Sequence, residues 1–180
     1  YRAIAPALSP LRGLYVTDLL RRGNDIWIST NQGLYVYDPY NSTLRSYRHT
    51  ADPRSLSHDY ATSLALTSDG RLLVGTLRGL CVLDDQTDTF QCWNSSTPGC
   101  PMASDFVHQL LVYGHQLWIA TETAGIIKLS PKPLMLRNYV NDPRDPRSLS
   151  PHPVNAMRVD RKNGFVDCEH VLYMAKEMED

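Results

Sequence analysis

Six histidines and four cysteines are the residues best suited to metal or covalent chemistry in this 180-residue chain. His49, His58, His108, His115, His152 and His170 form no H-x-x-x-H pair, and Cys81, Cys92, Cys100 and Cys168 form no C-x-x-C pair. No G-x-S-x-G elbow and no glycine-rich phosphate loop occurs. The reading is therefore no catalytic residue, no metal site and no cofactor. What remains are polar residues in turns: Asn31, Gln32, Arg78, Glu122, Thr123 and Arg147. Arg54, His58, Arg144 and His152 join them from the longer linkers. Arg and Asn can hydrogen-bond hydroxyl groups or carboxylates, so the first six are weak ligand-binding candidates. Each of them also reads as an ordinary solvated turn residue.

Cys81 and Cys92 flank the turn "DDQTD" almost symmetrically, so a hairpin there could place them opposite one another and let them bridge. A Cys92–Cys100 pair is a second reading and buried free thiols are a third. A disulfide would imply an oxidising compartment. The net charge of -1 offers no electrostatic case for nucleic acid or an anionic membrane. No apolar run approaches the roughly 20 residues of a membrane span, so no direct membrane insertion is expected. The first residue is Tyr1 rather than Met and no signal-peptide pattern follows, so the chain reads as trimmed at its start.

The elements that would position the turn residues come from an internal repeat. Gly33, Gly79 and Gly125 recur every 46 residues, as do Tyr1, Tyr47, Trp93 and Tyr139. The phrases "IWISTNQGLYVYD" (26–38), "LLVGTLRGLCVLD" (72–84) and "LWIATETAGIIKL" (117–129) align, with one extra residue before Gly125. Each unit holds four short runs rich in Val, Ile, Tyr, Trp and Thr, separated by Gly, Asn, Asp and Pro, which read as strands. Four strands in a repeat of this length predict an all-β fold of β-propeller blades, four-stranded antiparallel sheets in a partial propeller of about three to four blades.

With the strands of a blade lettered A to D from the channel outward, the small residues Ser29, Gly75 and Ala120 in strand B suit close packing of neighbouring sheets. The glycines at 33, 79 and 125 mark a positive φ or an approach that a Cβ would obstruct. Trp27 and Trp118 could be sugar-stacking platforms, but their mid-strand positions favour core packing. The B–C turns and the D-to-A linkers should emerge on one face of the disc, where propeller ligands usually sit at a channel mouth.

Three Trp-Ile-x-Thr-type motifs in register, each followed by Gly and an apolar strand, resemble the two-component regulator propeller repeat. The linkers "TADPRSLSHDYATSLALTSDG" (50–70) and "NDPRDPRSLSPHPVNAMRVDRKNG" (141–164) agree with it. The likeness runs to Gly164. Leu73 departs from it where the other units have Trp27 and Trp118, as does "SPKPLM" (130–135) in place of an Asp-Pro turn. The resemblance implies the periplasmic sensor region of a hybrid two-component histidine kinase, with kinase activity in parts this chain does not contain. It further implies an oligosaccharide or other small-molecule ligand, and the remaining propeller blades or self-association as partners. A protein–protein interaction propeller is the alternative. A propeller hydrolase or lyase acting on glycans is a more remote one, since "TSDGRLLVGT" (67–76) lacks the spacing and terminal Trp of a sialidase Asp-box.

On this reading residues 1–14 end a preceding blade and linker, and 15–59, 60–105 and 106–153 are blades. Residues 154–164 are the first strand of another, and 165–180 an out-of-frame or atypical tail. Where a fourth Leu-Trp-Ile-Ala-Thr is expected, the chain reads "FVDCEH". Dropping one nucleotide from TTT GTG GAT TGC GAA CAC yields Leu-Trp-Ile-Ala-Asn. The frame therefore is expected to shift near Gly164, with disorder or improvised structure beyond it. A nucleotide sequence in which Val166 is not GTG would sink that expectation.

Overall fold

Each Trp-Ile-x-Thr-type run becomes the second strand of a four-stranded antiparallel sheet. The computed structural model describes residues 6–98, 100, 102–129, 137–149, 151–160 and 165–169. A 3₁₀ turn, Pro6–Leu11, precedes the first sheet. That sheet orders β1 (Val16–Arg22), β2 (Asp25–Thr30), β3 (Gly33–Asp38) and β4 (Thr43–Tyr47). The second orders β5 (Ala61–Leu66), β6 (Leu72–Thr76), β7 (Gly79–Asp84) and β8 (Thr89–Trp93). The third orders β9 (Val107–Tyr113), β10 (Gln116–Thr121), β11 (Ile126–Leu129) and β12 (Arg137–Tyr139). These are the blades that the repeat predicts.

The repeated Thr and Gly close the B–C turn. Thr30 Oγ1 donates to the Gly33 carbonyl at 2.8 Å and accepts the Gln32 N–H at 3.0 Å, and Thr76 repeats the arrangement with Gly79 and Arg78. Thr121 reaches one residue further, donating to the Gly125 carbonyl at 2.9 Å, which absorbs the extra residue of the third blade. Gly79 sits at φ +113° with its N–H donating to the Asp105 carbonyl at 2.7 Å, so the turn is tied to the next linker. Within "DPRSLS", Asp52 Oδ1 accepts the Arg54 N–H and the Ser55 hydroxyl donates to the Asp52 carbonyl, while Leu56 is buried. The Asp-Pro-Arg-Ser motif is thus a turn whose leucine anchors the linker.

Neighbouring blades interlock along their first strands. β1 touches β5, β5 touches β9 and β9 touches β13 (Ala156–Asp160), which places these strands on the inside of the arc. A side chain of each inner strand accepts an N–H from the next. Asp18 Oδ2 accepts from Leu64 at 2.8 Å, Ser63 Oγ from Leu110 at 3.1 Å, and Gln109 Oε1 from Met157. Asp18→Ala should leave the buried Leu64 N–H without its acceptor and cost about 1–3 kcal/mol. Urea titration checks this, with Asp18→Asn, which keeps an acceptor, as the near-neutral control.

Apolar clusters fill the gaps between blades. Trp27 stacks on Tyr47 with centroids 5.8 Å apart, and Trp118 on Tyr139 at 6.0 Å. Both tryptophans are buried, as their mid-strand positions require. A Cβ built on Gly75 would lie 2.7 Å from Val107 Cγ1, so the small residue of strand B is needed where the next blade's inner strand approaches. Cys81 and Cys92 occupy directly opposed positions on β7 and β8 and are joined by a disulfide, on the side of the second blade that faces the first. Closing a loop of this length contributes about 3 kcal/mol in the chain-entropy account. Cys100 is a free, half-buried thiol.

Beyond Gly164 the described residues form one further strand. β14 (Phe165–Glu169) pairs with β13 in a regular antiparallel ladder from Asp160↔Phe165 to Ala156↔Glu169. The fourth unit therefore has two strands over the described residues. Val-Asp-Cys-Glu alternates apolar and polar at the period of a strand, and ladder pairing needs only backbone groups. Residues 170–180 lie outside the described residues.

Candidate functional site

The inner strands β1, β5 and β9 each carry a β-bulge at the same place. The ladder register slips between Val16 and Asp18, between Ala61 and Ser63, and between Val107 and Gln109. The extra residues are Thr17, Thr62 and His108. Bulges re-aim side chains at sheet edges and near binding sites. The residue two positions before each extra residue is aromatic: Tyr15, Tyr60 and Phe106.

The B–C turns hold these aromatics in place. The backbone N–H groups of Asn31, Leu77 and Glu122 donate to the carbonyls of Tyr15, Tyr60 and Phe106 at 3.0, 3.3 and 3.1 Å. Three blades thus converge on one cavity of about 410 Å³, lined by Tyr15, Thr17, Tyr60, Thr62, Leu77, Phe106 and His108. That size falls within the range of small-molecule sites. His108 stacks on Phe106, with centroids 4.5 Å apart, and its Nε2–H is hydrogen-bonded to Glu122 Oε2. Thr17 donates to the Ala61 carbonyl at 2.7 Å, so its hydroxyl hydrogen is committed to the neighbouring blade. Thr62 Oγ1 is buried and has no partner among the described residues.

The six turn candidates separate under this geometry. Asn31 does not line the cavity, and its Oδ1 accepts the Tyr15 N–H at 2.9 Å. Glu122 reaches the cavity through His108. Gln32, Arg78 and Thr123 lie one residue further along their turns, are exposed, and do not line the cavity. Arg147 belongs to the Asp145 turn, where its Nε lies 3.3 Å from Asp145 Oδ1 and its side chain is 89% exposed. The aromatics and bulge residues were not among the sequence candidates. A signal for them exists: Tyr-Val, Tyr-Ala and Phe-Val recur at the repeat spacing just before each inner strand.

A second cleft of about 450 Å³ lies between the first two blades, lined by Arg22, Trp27, Arg45, Tyr47, Asp85 and Asp88 among others. Its charges are largely consumed internally. Arg22 bonds Asp85 at 2.6 and 2.5 Å, and the Asp85 carboxyl is held below the usual carboxylate range by that pairing. The Tyr47 hydroxyl is pushed up to about 12, first by burial and then by its 2.6 Å hydrogen bond to Asp88. This cleft reads as a polar seam between blades. Among the described residues there is no cluster of metal-ligating side chains, and no helix is long and apolar enough to cross a membrane.

No protein-family model matches this sequence, and no curated protein does. Solved structures do. The extracellular domain of what is described as a hybrid two-component system from B. thetaiotaomicron superposes with a TM-score of 0.71 over 88% of this chain, at 22% identity. These are β-propeller blades. A second such extracellular domain from B. thetaiotaomicron matches the propeller chain with a TM-score of 0.60 over 86% of its length, at 18% identity. The propeller chain spans 22% and 26% of those two chains. Virginiamycin B lyase from Staphylococcus aureus matches with a TM-score of 0.60 at 8% identity, over 87% of this chain and 49% of its own. At these identities the likeness is one of fold.

Proposed function

We propose that this chain is a ligand-sensing part of the extracytoplasmic propeller region of a hybrid two-component system, and that it binds an oligosaccharide at the channel mouth. The observation that carries the proposal is the three-blade cavity: stacking faces from Tyr15 and Tyr60 beside His108, whose ring is hydrogen-bonded to Glu122 behind the lining. Aromatic faces with a few convergent polar groups suit a ligand that is apolar on one face and hydroxylated at its edges. The fold shared with extracellular domains of such systems supports the sensory assignment, and the Cys81–Cys92 disulfide supports an oxidising compartment such as the periplasm.

The partners in this reading are further blades or a second copy of the chain. Val16 and Leu19 of the first blade are exposed, whereas their equivalents Ala61, Leu64, Val107 and Leu110 are buried against the preceding blade. A thermal-shift and calorimetric screen against oligosaccharides tests the function. Saturable binding without product, weakened at least tenfold by Tyr60→Ala, is the expected result. Turnover of the ligand would transfer the chain to the lyase or hydrolase class.

A further inference from the structure

We infer that the channel-mouth cavity selects neutral or amino-sugar units and rejects uronates, with Glu122 as the residue that sets this preference. The inference rests on the saccharide-sensing reading above and adds the ligand's charge class. Of the three turn positions next to the aromatics, Asn31 has its side-chain oxygen occupied by the Tyr15 N–H, and Leu77 is apolar. Glu122 is the one with an ionisable group, and its side chain is 40% exposed beside the cavity.

The pairing with His108 leaves that carboxylate oriented but not used up. His108 engages Oε2, its ring is held against Phe106, and its side chain is only 18% exposed. Oε1 takes no part in that bond, which leaves it to accept hydrogen bonds from a sugar. A carboxylate accepting from sugar hydroxyls or an ammonium makes charge-assisted bonds, stronger than neutral ones. Tyr60 offers a stacking face on the neighbouring blade.

The same chemistry opposes an acidic sugar. No Lys or Arg lines the cavity. A uronate there would place a second carboxylate near Glu122 with no lining cation to pair with, which costs binding in a partly desolvated site. The arginines suggested by sequence do not supply one, since Arg78 is outside the lining and Arg147 belongs to the Asp145 turn.

The test uses the full chain on an array of neutral, amino-sugar and uronate oligosaccharides, followed by calorimetry on the best binder. Binding confined to the neutral and amino-sugar classes is expected, with at least a tenfold loss in Glu122→Gln and no change in Arg147→Ala. Glu122→Lys should move the array signal toward uronates, a gain that a merely structural role for Glu122 cannot produce. Circular dichroism melts of each variant separate binding losses from unfolding. Uronates bound as well as neutral sugars, or binding indifferent to Glu122, overturns the inference and leaves saccharide sensing intact. No saccharide of any class bound by the folded chain overturns the sensing reading itself.

Discussion

Gly79→Ala is expected to destabilise the fold by roughly 3 kcal/mol or more. Two costs combine. Gly79 sits at φ +113°, where L side chains are strained, and a Cβ there would lie 2.1 Å from the Trp93 carbonyl oxygen and 3.0 Å from its carbon. The obstructing atoms are backbone of a paired strand, which cannot rotate away as a side chain could. Gly23→Ala is the matched control. It has φ +62° and nothing within 4 Å of the added Cβ, so only the left-handed strain applies, about 1–2 kcal/mol. Urea midpoints of the two variants measure the difference. Equal destabilisation would show that conformation alone, and not the close approach of β8, requires glycine in the B–C turn.

The second large effect compares one charge at two equivalent places. Leu19 and Leu110 occupy the same position of the inner strand in the first and third blades, yet Leu19 is 62% exposed and Leu110 is 4% exposed. Leu110→Glu would bury a carboxylate among Ala65, Leu73, Val107 and Ile119 with no cation in that cluster, and several kcal/mol of destabilisation is expected. Leu19→Glu should change stability by about 0.5 kcal/mol or less. It should also suppress concentration-dependent association through the exposed first-blade face. Thermal melts and sedimentation velocity on both variants provide the readouts. A Leu19→Glu chain that associates as readily as the parent would remove this face from the list of partner surfaces.

The contrast between these two leucines shows how far the repeat could be read without a structure. Leu19 and Leu110 are 91 residues apart, one short of two repeats, and it is the ladder register, with Leu19 opposite Ile28 and Leu110 opposite Ile119, that makes them equivalent. Nothing local distinguishes them, because burial depends on which sheet lies across the gap. The disulfide behaves similarly. Symmetry about "DDQTD" allowed the Cys81–Cys92 bridge and left two other readings open. The register of β7 on β8, with Cys81 directly opposite Cys92, removes the ambiguity.

What the sequence determined by itself is what near neighbours control. Strand lengths, the Thr–Gly turn, the Asp-Pro-Arg-Ser linker turn and the buried tryptophans follow from hydrogen bonds and alternation within a few residues. The strands and the Thr–Gly turn recur three times, and the linker turn and the tryptophans twice, which strengthens a weak signal. Tertiary structure decided what depends on contacts across blades. The acceptors that lock one blade to the next are Asp18, Ser63 and Gln109, three residue types for one role, so no repeated letter announces them. The bulges at Thr17, Thr62 and His108 are register slips against a partner strand and leave no mark in one-dimensional spacing. β14 forms because an inner-strand partner is available for an alternating segment that lacks the repeat's motif. The candidate site exists only where three blades meet, since Tyr15, Tyr60 and His108 are far apart along the chain and share a cavity only because inner strands stand side by side.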